Sequence, residues 1–355
     1  MNVLSLFDGM SCGQIALNRL GIKYDNYYAA EIDKYAIEVT KKNYPNTIHL
    51  GDVTKVKVTD LEPIDLLMGG SPCQGFSFAG KQLNFDDPRS ALFFEFVRLL
   101  KECKPKYFLL ENVRMKKIYQ DVITEHLGVE PIMINSSLLS AQNRLRLYWT
   151  NIPNITIPED KGLVLKDILE YNQTSVSELS EAKKDRVLNS QRGKGFFYNP
   201  DQHDKIGTLI AGYHKEPTDA SYLEIPIKNP ERVRETSNYW QMDVSGKGYA
   251  SQQDRIRKLD KPSNSLAAGS ASIPKVMLHE KVTYRKLTPI ECERLQTVPD
   301  NYTQGVSNTQ RYKMLGNGWT VDVIAHILKN INEENNNTLQ TQRTATTDSS
   351  GYETI

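Results

Sequence analysis

One cysteine stands in a setting that suits a nucleophile. Cys73 is the centre of residues 69–81, GGSPCQGFSFAGK. Pro72 fixes its own φ and restricts Ser71, and the glycines nearby permit a loop that folds over a bound substrate. Free cysteine usually behaves as a small buried hydrophobe, so the neighbours decide the reading. Gly, Ser, Pro and Gln after the apolar run 64–68 describe a loop at a sheet edge, where ligands of open α/β sheets bind. Glu111 and Asn112 form a second polar pair after the apolar run 107–110, and Gln142-Asn143-Arg144-Leu145-Arg146 puts two arginines on one face by the period of two. Taken alone, Glu111 reads as a solvated carboxylate capping the next helix, and the arginines as a solvated face. Beside a thiol the same groups bind a polar substrate.

The elements that must position these groups alternate in type. Residues 2–7 read as a strand, 8–13 as a Gly-containing turn and 14–20 as a helix; 27–30 is a strand ending at Glu31, and 33–43 a helix. Short strands at 47–50 and 64–68, a helix at 91–102, and strands at 107–110, 131–139 and 145–151 follow. This order predicts an α/β fold with a doubly wound, mostly parallel sheet. Gly9 and Gly13 with Glu31 some 20 residues on also suit a dinucleotide-binding unit, so an NAD-binding reading stands beside a plain strand-to-helix turn.

After about residue 153 apolar periodicity weakens and Gly, Asn, Ser and Pro punctuate short runs such as 208–211 and 265–268. A second, smaller, irregular domain is expected there. Residues 183–275 hold 16 Lys plus Arg against 11 Asp plus Glu, with Phe196, Phe197, Tyr198, Tyr213, Tyr239 and Trp240 interleaved. That mixture suits a nucleic-acid surface or a plain solvated face. A helix returns near Thr288 with Pro289 in its first turn, Gly316-Asn317-Gly318 precedes a last helix at 319–331, and the Thr/Gln/Ser-rich residues 333–355 are expected to be disordered. Cys12, Cys73, Cys103 and Cys292 lack zinc-site spacing and disulfide density, which predicts reduced thiols and no structural metal. There is no signal-peptide pattern and no apolar run near the ~20 residues that span a bilayer, so a cytoplasmic protein with no membrane partner is expected.

The ordered set LFDGMSCG, GGSPCQGFS, ENV, QNRLR, RKLTPIECERLQTVPDNY and MLGNGWTV resembles the DNA cytosine-5 methyltransferase family from Asn2 to about Ile331. The NAD-binding reading offers no role for Cys73, Glu111 and Arg146. The first motif is similar to the mammalian de novo branch, with Ser11 and Cys12 in place of two adjacent glycines common in bacterial members. Gln74 and the ordinary-length recognition region look like the bacterial and phage type.

The resemblance implies a Rossmann-like, S-adenosylmethionine-dependent methyltransferase that leaves S-adenosylhomocysteine. It implies that Cys73 adds to carbon 6 of a flipped cytosine, that Glu111 serves nitrogen 3 with Asn112 beside it, that Arg146 donates to oxygen 2, and that Arg144 supports Glu111 or the substrate. Phe7, Gly9, Ser11 and Cys12 would surround the methionine portion, Glu31 the ribose hydroxyls and Asp52 the adenine amino group, with Pro72, Leu92, Asn317 and Trp319 lining the pocket. The expected layout is a catalytic and cofactor-binding domain at 1–154, a target recognition domain at 155–280, and a return to the catalytic domain at 281–332. The expected partners are double-stranded DNA and a cognate restriction endonuclease, the chain acting as a monomer in a bacterial or phage-infected cell. A catalytically silent DNA-binding homologue and a tRNA methyltransferase are the alternatives.

Overall fold

A computed structural model describes residues 1–71, 91–170, 178–189, 197–218, 220–226, 233–235, 239–242, 255–257 and 282–331. Cys73, Pro72, the loop that follows them, residues 265–268 and the tail at 333–355 lie outside the described residues.

Seven strands form the main sheet: β1 (Asn2–Leu6), β2 (Asn26–Ala30), β3 (Ile48–His49), β4 (Leu66–Gly69), β5 (Tyr107–Val113), β6 (Ile132–Asn135) and β7 (Leu145–Thr150). Their order is β3-β2-β1-β4-β5-β7-β6. The first five run parallel, whereas β7 is antiparallel to both β5 and β6. Helices α1 (Cys12–Arg19), α2 (Lys34–Asn43), α3 (Ala91–Cys103) and α4 (Lys117–Leu127) connect them.

Alternation along each strand sorts side chains onto two faces. Val3, Tyr27, Ala29, Leu66, Met68, Tyr107, Leu109 and Tyr148 belong to one buried cluster. Leu4, Leu6, Tyr28, Ala30, Leu67, Phe108, Leu110, Leu147 and Trp149 belong to the other. Both faces are covered, so these strands read as nearly continuous apolar runs. The spacing of Phe93, Phe96 and Leu99 in α3 presents all three inward with no exposed surface, each burial contributing ~1.5–3 kcal/mol.

Several expected boundaries shift. The strand expected at 131–139 ends at Asn135, whose side-chain oxygen accepts from Ser137 N at 3.1 Å and turns the chain into a 3-10 helix, Ser136–Leu138. The last helix begins at 321 instead of 319 and is α9 (321–331) here. The strand expected at 107–110 runs on to Val113 because its ladder with β7 continues past the apolar residues.

Downstream come α5 (Leu165–Ile168), α6 (Glu181–Leu188), α7 (Pro289–Leu295), α8 (Asn308–Asn317) and six short strands: β8 (Phe197–Tyr198), β9 (Tyr222–Pro226), β10 (Val233–Glu235), β11 (Tyr239–Met242), β12 (Arg255–Arg257) and β13 (Val282–Arg285). They make two three-stranded sheets, β13-β9-β8 and β10-β11-β12. Leu165, Ile168, Leu209, Tyr213 and Tyr222 share one buried cluster with Val3, Ile15 and Leu328, so the segments that carry these residues are docked on the main sheet's core.

Helix α7 shows how the sequence RKLTPIECERLQ is used. Thr288 caps it, with Oγ1 accepting from Glu291 N at 3.0 Å and the Glu291 carboxylate accepting from Thr288 N at 2.7 Å, and Pro289 opens the first turn. The same carboxylate takes both Arg285 terminal nitrogens at 2.7 and 2.8 Å, with Glu291 fully buried. Among the described residues no helix is long and apolar enough to cross a membrane.

Candidate active site

The C-terminal ends of β1, β2, β4 and β5 meet the N-terminal end of β7 along one edge of the sheet. Glu111 lies opposite Tyr148, and Arg146 lies opposite Val113, so the two are diagonal neighbours on one face. Arg146 Nε is 2.9 Å from Glu111 Oε1, and the side chains are 13% and 12% exposed. Arg146 Nη1 donates to its neighbour Leu145 O at 2.9 Å. A carboxylate and a guanidinium are thus held together at the rim, the acid able to carry a proton and the guanidinium's remaining donors able to orient a polar ring.

Gly70 explains why the motif that precedes Cys73 is GG. A Cβ there would lie 2.8 Å from Trp319 Nε1 and 3.1 Å from Glu111 Oε2. At Gly70 the backbone therefore packs against both the indole and the carboxylate, leaving no room for a side chain. Asn112, on the opposite face, donates from Nδ2 to Ser71 Oγ at 3.2 Å, tying β5 to the residue two before Cys73. Both Ser71 and Asn112 are buried.

Arg144 goes elsewhere than the rim. Its guanidinium is 3% exposed as a residue and donates to the carbonyls of Leu209, Gly316 and Gly318 at 3.1, 3.3 and 2.9 Å. Burial lowers its pKa, Arg146 adds to that, and Glu111 opposes it. It clamps the turn that presents Trp319. Gln296 joins the same turn, donating to Leu315 O at 2.7 Å, while Thr320 Oγ1 donates to Gln296 Oε1 at 3.0 Å. Gly316 is pressed so closely on the Ile210–Ala211 peptide that a Cβ would lie within 2.5 Å of it.

The residues expected at the cofactor gather at the ends of β1 to β3. Glu31 accepts from Gly9 N at 2.7 Å and from Ile32 N and Asp33 N at 2.8 Å each, drawing the first turn to the end of β2. Phe7, Gly9 and Ser11 all have positive φ, near 56°, 59° and 65°. Among the described residues, a Cβ on Gly9 meets nothing within 4 Å. Asp52 caps a 3-10 helix through Thr54 N at 3.0 Å, and that bond holds its carboxyl below the usual range. Leu92 packs against the buried cluster of α3, Asn317 is exposed at the end of α8, and Trp319 is half-buried. Apolar surface beside two carboxylates and a glycine turn fits S-adenosylmethionine, whose adenosine offers hydroxyls and an amino group as donors.

Two residues at this end escaped the sequence reading. Ile32 is 77% exposed next to Glu31, an apolar surface beside the expected ribose site; its signal was only adjacency to the acid. Asp8 accepts from Tyr27 Oη at 2.8 Å, its Oδ2 has no partner among the described residues, and burial raises its pKa to about 6. Cys12 is buried, with Sγ 3.8 Å from Trp319 O, and desolvation pushes its thiol up to about 12. Burial likewise raises Cys103 to about 11 and Cys292 well above its ordinary value. A thiol needs a thiolate to attack, so none of the three described cysteines is poised as a nucleophile. No group of His, Cys, Asp and Glu that could hold a metal ion occurs among the described residues.

A family model described as C-5 cytosine-specific DNA methylase matches residues 1–333. The chain is 30% identical over 362 residues to the type II methyltransferase M1.ScrFI of Lactococcus lactis subsp. cremoris, covering 93% of this chain and 78% of that protein. It is 27% identical over 440 residues to the orphan methyltransferase M.SPRI of Bacillus phage SPR, covering 93% and 97% respectively. Its fold is similar to the structure of the Entamoeba histolytica methyltransferase EhMeth, with a TM-score of 0.66 at 17% identity over 94% of this chain and 98% of that one.

Proposed function

The chain belongs to the C-5 cytosine-specific DNA methylase family, and on that premise we propose that it methylates a flipped cytosine within a short DNA sequence through a covalent bond to Cys73. Membership makes it a DNA cytosine-5 methyltransferase using S-adenosylmethionine. The observation that carries the finer reading is the Glu111–Arg146 pair at 2.9 Å, beside the glycine that leads to Cys73.

Carbon 5 of cytosine is a weak nucleophile. Addition of the Cys73 thiolate to carbon 6, with Glu111 giving its proton to nitrogen 3, turns the ring into an enamine whose carbon 5 attacks an electrophilic methyl group. S-adenosylmethionine supplies that methyl group when bound. A base then takes the carbon-5 proton, the carbon 6–sulfur bond breaks, the thiolate leaves, and Glu111 recovers the proton of nitrogen 3. Arg146 keeps Nε on Glu111 and turns its remaining terminal nitrogen to oxygen 2 of the base, while Asn112 holds Ser71 and Arg144 holds the Trp319 turn. Unstacking the cytosine costs ~ a few kcal/mol. For the donor, Phe7, Gly9, Ser11 and Cys12 form the turn, Glu31 takes the ribose hydroxyls, Asp52 the adenine amino group, and Pro72, Leu92, Asn317 and Trp319 line the pocket.

We assign catalysis to 1–154 with 281–332 and DNA recognition to 155–280, in a chain that acts as a monomer in a bacterial or phage-infected cytoplasm. A cognate restriction endonuclease belongs to this reading because one relative is named a type II methyltransferase. The test is transfer of tritium from labelled S-adenosylmethionine to duplex DNA, followed by sequencing of the modified cytosines. Label at carbon 5 in one short sequence is expected; absence of label across diverse duplexes would overturn the assignment.

A further inference from the structure

Ser11 stands in the left-handed region, with φ 65° and ψ 45°, at the N-cap of α1, and it is fully buried. A residue with a Cβ is disfavoured there by about fivefold to thirtyfold, whereas glycine enters that region freely. An N-cap residue ordinarily has extended backbone, and its hydroxyl reaches the N–H groups of the first turn. Ser11 makes no such bond. Ser11 and Gln14 have the Ser-x-x-Gln spacing of a capping box, but the pair is used otherwise: Gln14 Nε2 donates to Ser11 Oγ at 2.8 Å. The Ser11 hydroxyl also lies against Asp8.

Gln14 is 2% exposed, in a helix whose other buried residues are Cys12, Gly13, Ile15, Ala16 and Leu17. A buried amide needs partners at both ends. Nε2 also donates to Thr47 Oγ1 at 2.8 Å, and Oε1 accepts from Tyr24 Oη at 2.8 Å. Tyr24 precedes β2 and Thr47 precedes β3, so the amide is braced from two segments outside its own helix. The preceding residues of the turn are tied elsewhere: Glu31 takes Gly9 N, and Tyr302 Oη donates to Met10 O. Close packing of α1 on the sheet begins at Gly13, where a Cβ would lie 2.6 Å from Met68 Cε and 2.7 Å from Tyr27 Oη. Ser11 thus lies in the joint between a tied turn and a packed helix, in a conformation that its Cβ opposes.

Resting on the assignment of this turn to the methyl donor, we propose that Gln14 is a positioning residue for S-adenosylmethionine. Through Ser11 Oγ it holds the joint left-handed, and so keeps the turn in the shape that takes the donor. In this role Gln14 acts through Ser11 and not by contact with donor or DNA. Its effect depends on residue 11 carrying a Cβ, which separates it from a side chain that merely fills a buried site.

The experiment is calorimetric titration of S-adenosylmethionine into the full chain, with KM and kcat from tritium transfer to duplex DNA and thermal denaturation of the same proteins. Gln14→Leu keeps much of the side chain's bulk and loses the amide. With Ser11 present it should weaken donor binding by about fivefold to thirtyfold, the loss falling on KM and not on kcat. In the Ser11→Gly background the same change should weaken binding by less than about twofold, because glycine needs no support there. The melting temperature should fall in both backgrounds, since Tyr24 and Thr47 lose their partner in each. Tyr24→Phe frees Oε1 at a half-buried position and serves where Gln14→Leu does not fold; it should weaken donor binding in the same direction, again only with Ser11 present. Equal losses of affinity in the two backgrounds, or unchanged affinity in Gln14→Leu, would overturn the proposal. A wild-type chain that binds the donor and transfers no label to DNA overturns the assigned reaction and not the coupling, whereas one that does not bind the donor overturns both.

Discussion

Tyr302 donates from its phenol to the carbonyl of Met10 at 2.7 Å, joining residues 292 apart in the chain and both buried. Met10 lies in the turn that carries Gly9, Ser11 and Cys12, so the loop after α7 fixes the expected cofactor end from behind. Tyr302→Phe leaves a buried carbonyl without its donor, at ~1–3 kcal/mol. A lowered melting temperature with a severalfold weaker affinity for S-adenosylmethionine is expected. Thermal denaturation and cofactor titration check it, and unchanged cofactor affinity would count against the coupling.

Glu111→Gln keeps the shape of the acid but removes its proton transfer and leaves Arg146 without its ion pair. General acid catalysis is typically worth about 10²–10⁴-fold. Single-turnover methyl transfer should fall by at least about 100-fold while S-adenosylmethionine affinity holds, since Glu31 lies at the other end of the edge. Loss of cofactor binding in parallel would show a structural role instead.

Cys73→Ala should abolish methyl transfer and leave S-adenosylmethionine binding largely intact. Brief alkylation at neutral pH, followed by peptide mass spectrometry, should label Cys73 before Cys12, Cys103 and Cys292, whose thiols burial has pushed up. Equal labelling of Cys12 would contradict the assignment.

Arg285→Ala strips Glu291, fully buried, of a two-pronged partner and should cost about 3–5 kcal/mol. Arg294→Ala removes a partner of Asp300 in a pair whose side chains are 32% and 43% exposed, and should cost less than about 1 kcal/mol through that pair. Urea denaturation of the two variants compares them directly. Equal losses would refute the distinction between buried and exposed pairs.

Asp8 has a folded pKa of about 6 against an ordinary 3.8, so between those values the native chain holds more protons than the unfolded one. Stability should therefore decline as pH rises from about 4 to about 6 through this group, with no penalty below the ordinary value. Asp8→Asn should flatten that part of the stability profile and stabilise the chain at pH 7. Identical profiles for the two proteins would show that Asp8 is not desolvated.

Much of the sheet was legible because its strands are buried on both faces and leave apolar runs such as 64–68 and 107–110. Where a run was cut short, pairing rather than composition set the limit: Glu111 and Asn112 are polar, yet the ladder to Tyr148 and Leu147 keeps them in β5. Parity put Arg144 beside Arg146, but its partners are carbonyls of Leu209, Gly316 and Gly318, which no local pattern brings into view. Gly316 itself is explained only by a peptide from Ile210 and Ala211 lying against it. Ile32 was passed over because exposure of a single apolar residue has no sequence signal.

The bond from Tyr302 to Met10 also sets a clock. At ribosomal rates of about 5–20 residues per second, about 15–60 s separate the synthesis of the two residues. During that interval β1, α1 and β2 can form by local contacts, but the turn between them lacks its lock, as does Arg19, which awaits Asp322. A chain stalled before residue 302 therefore has neither contact to hold the turn between β1 and α1.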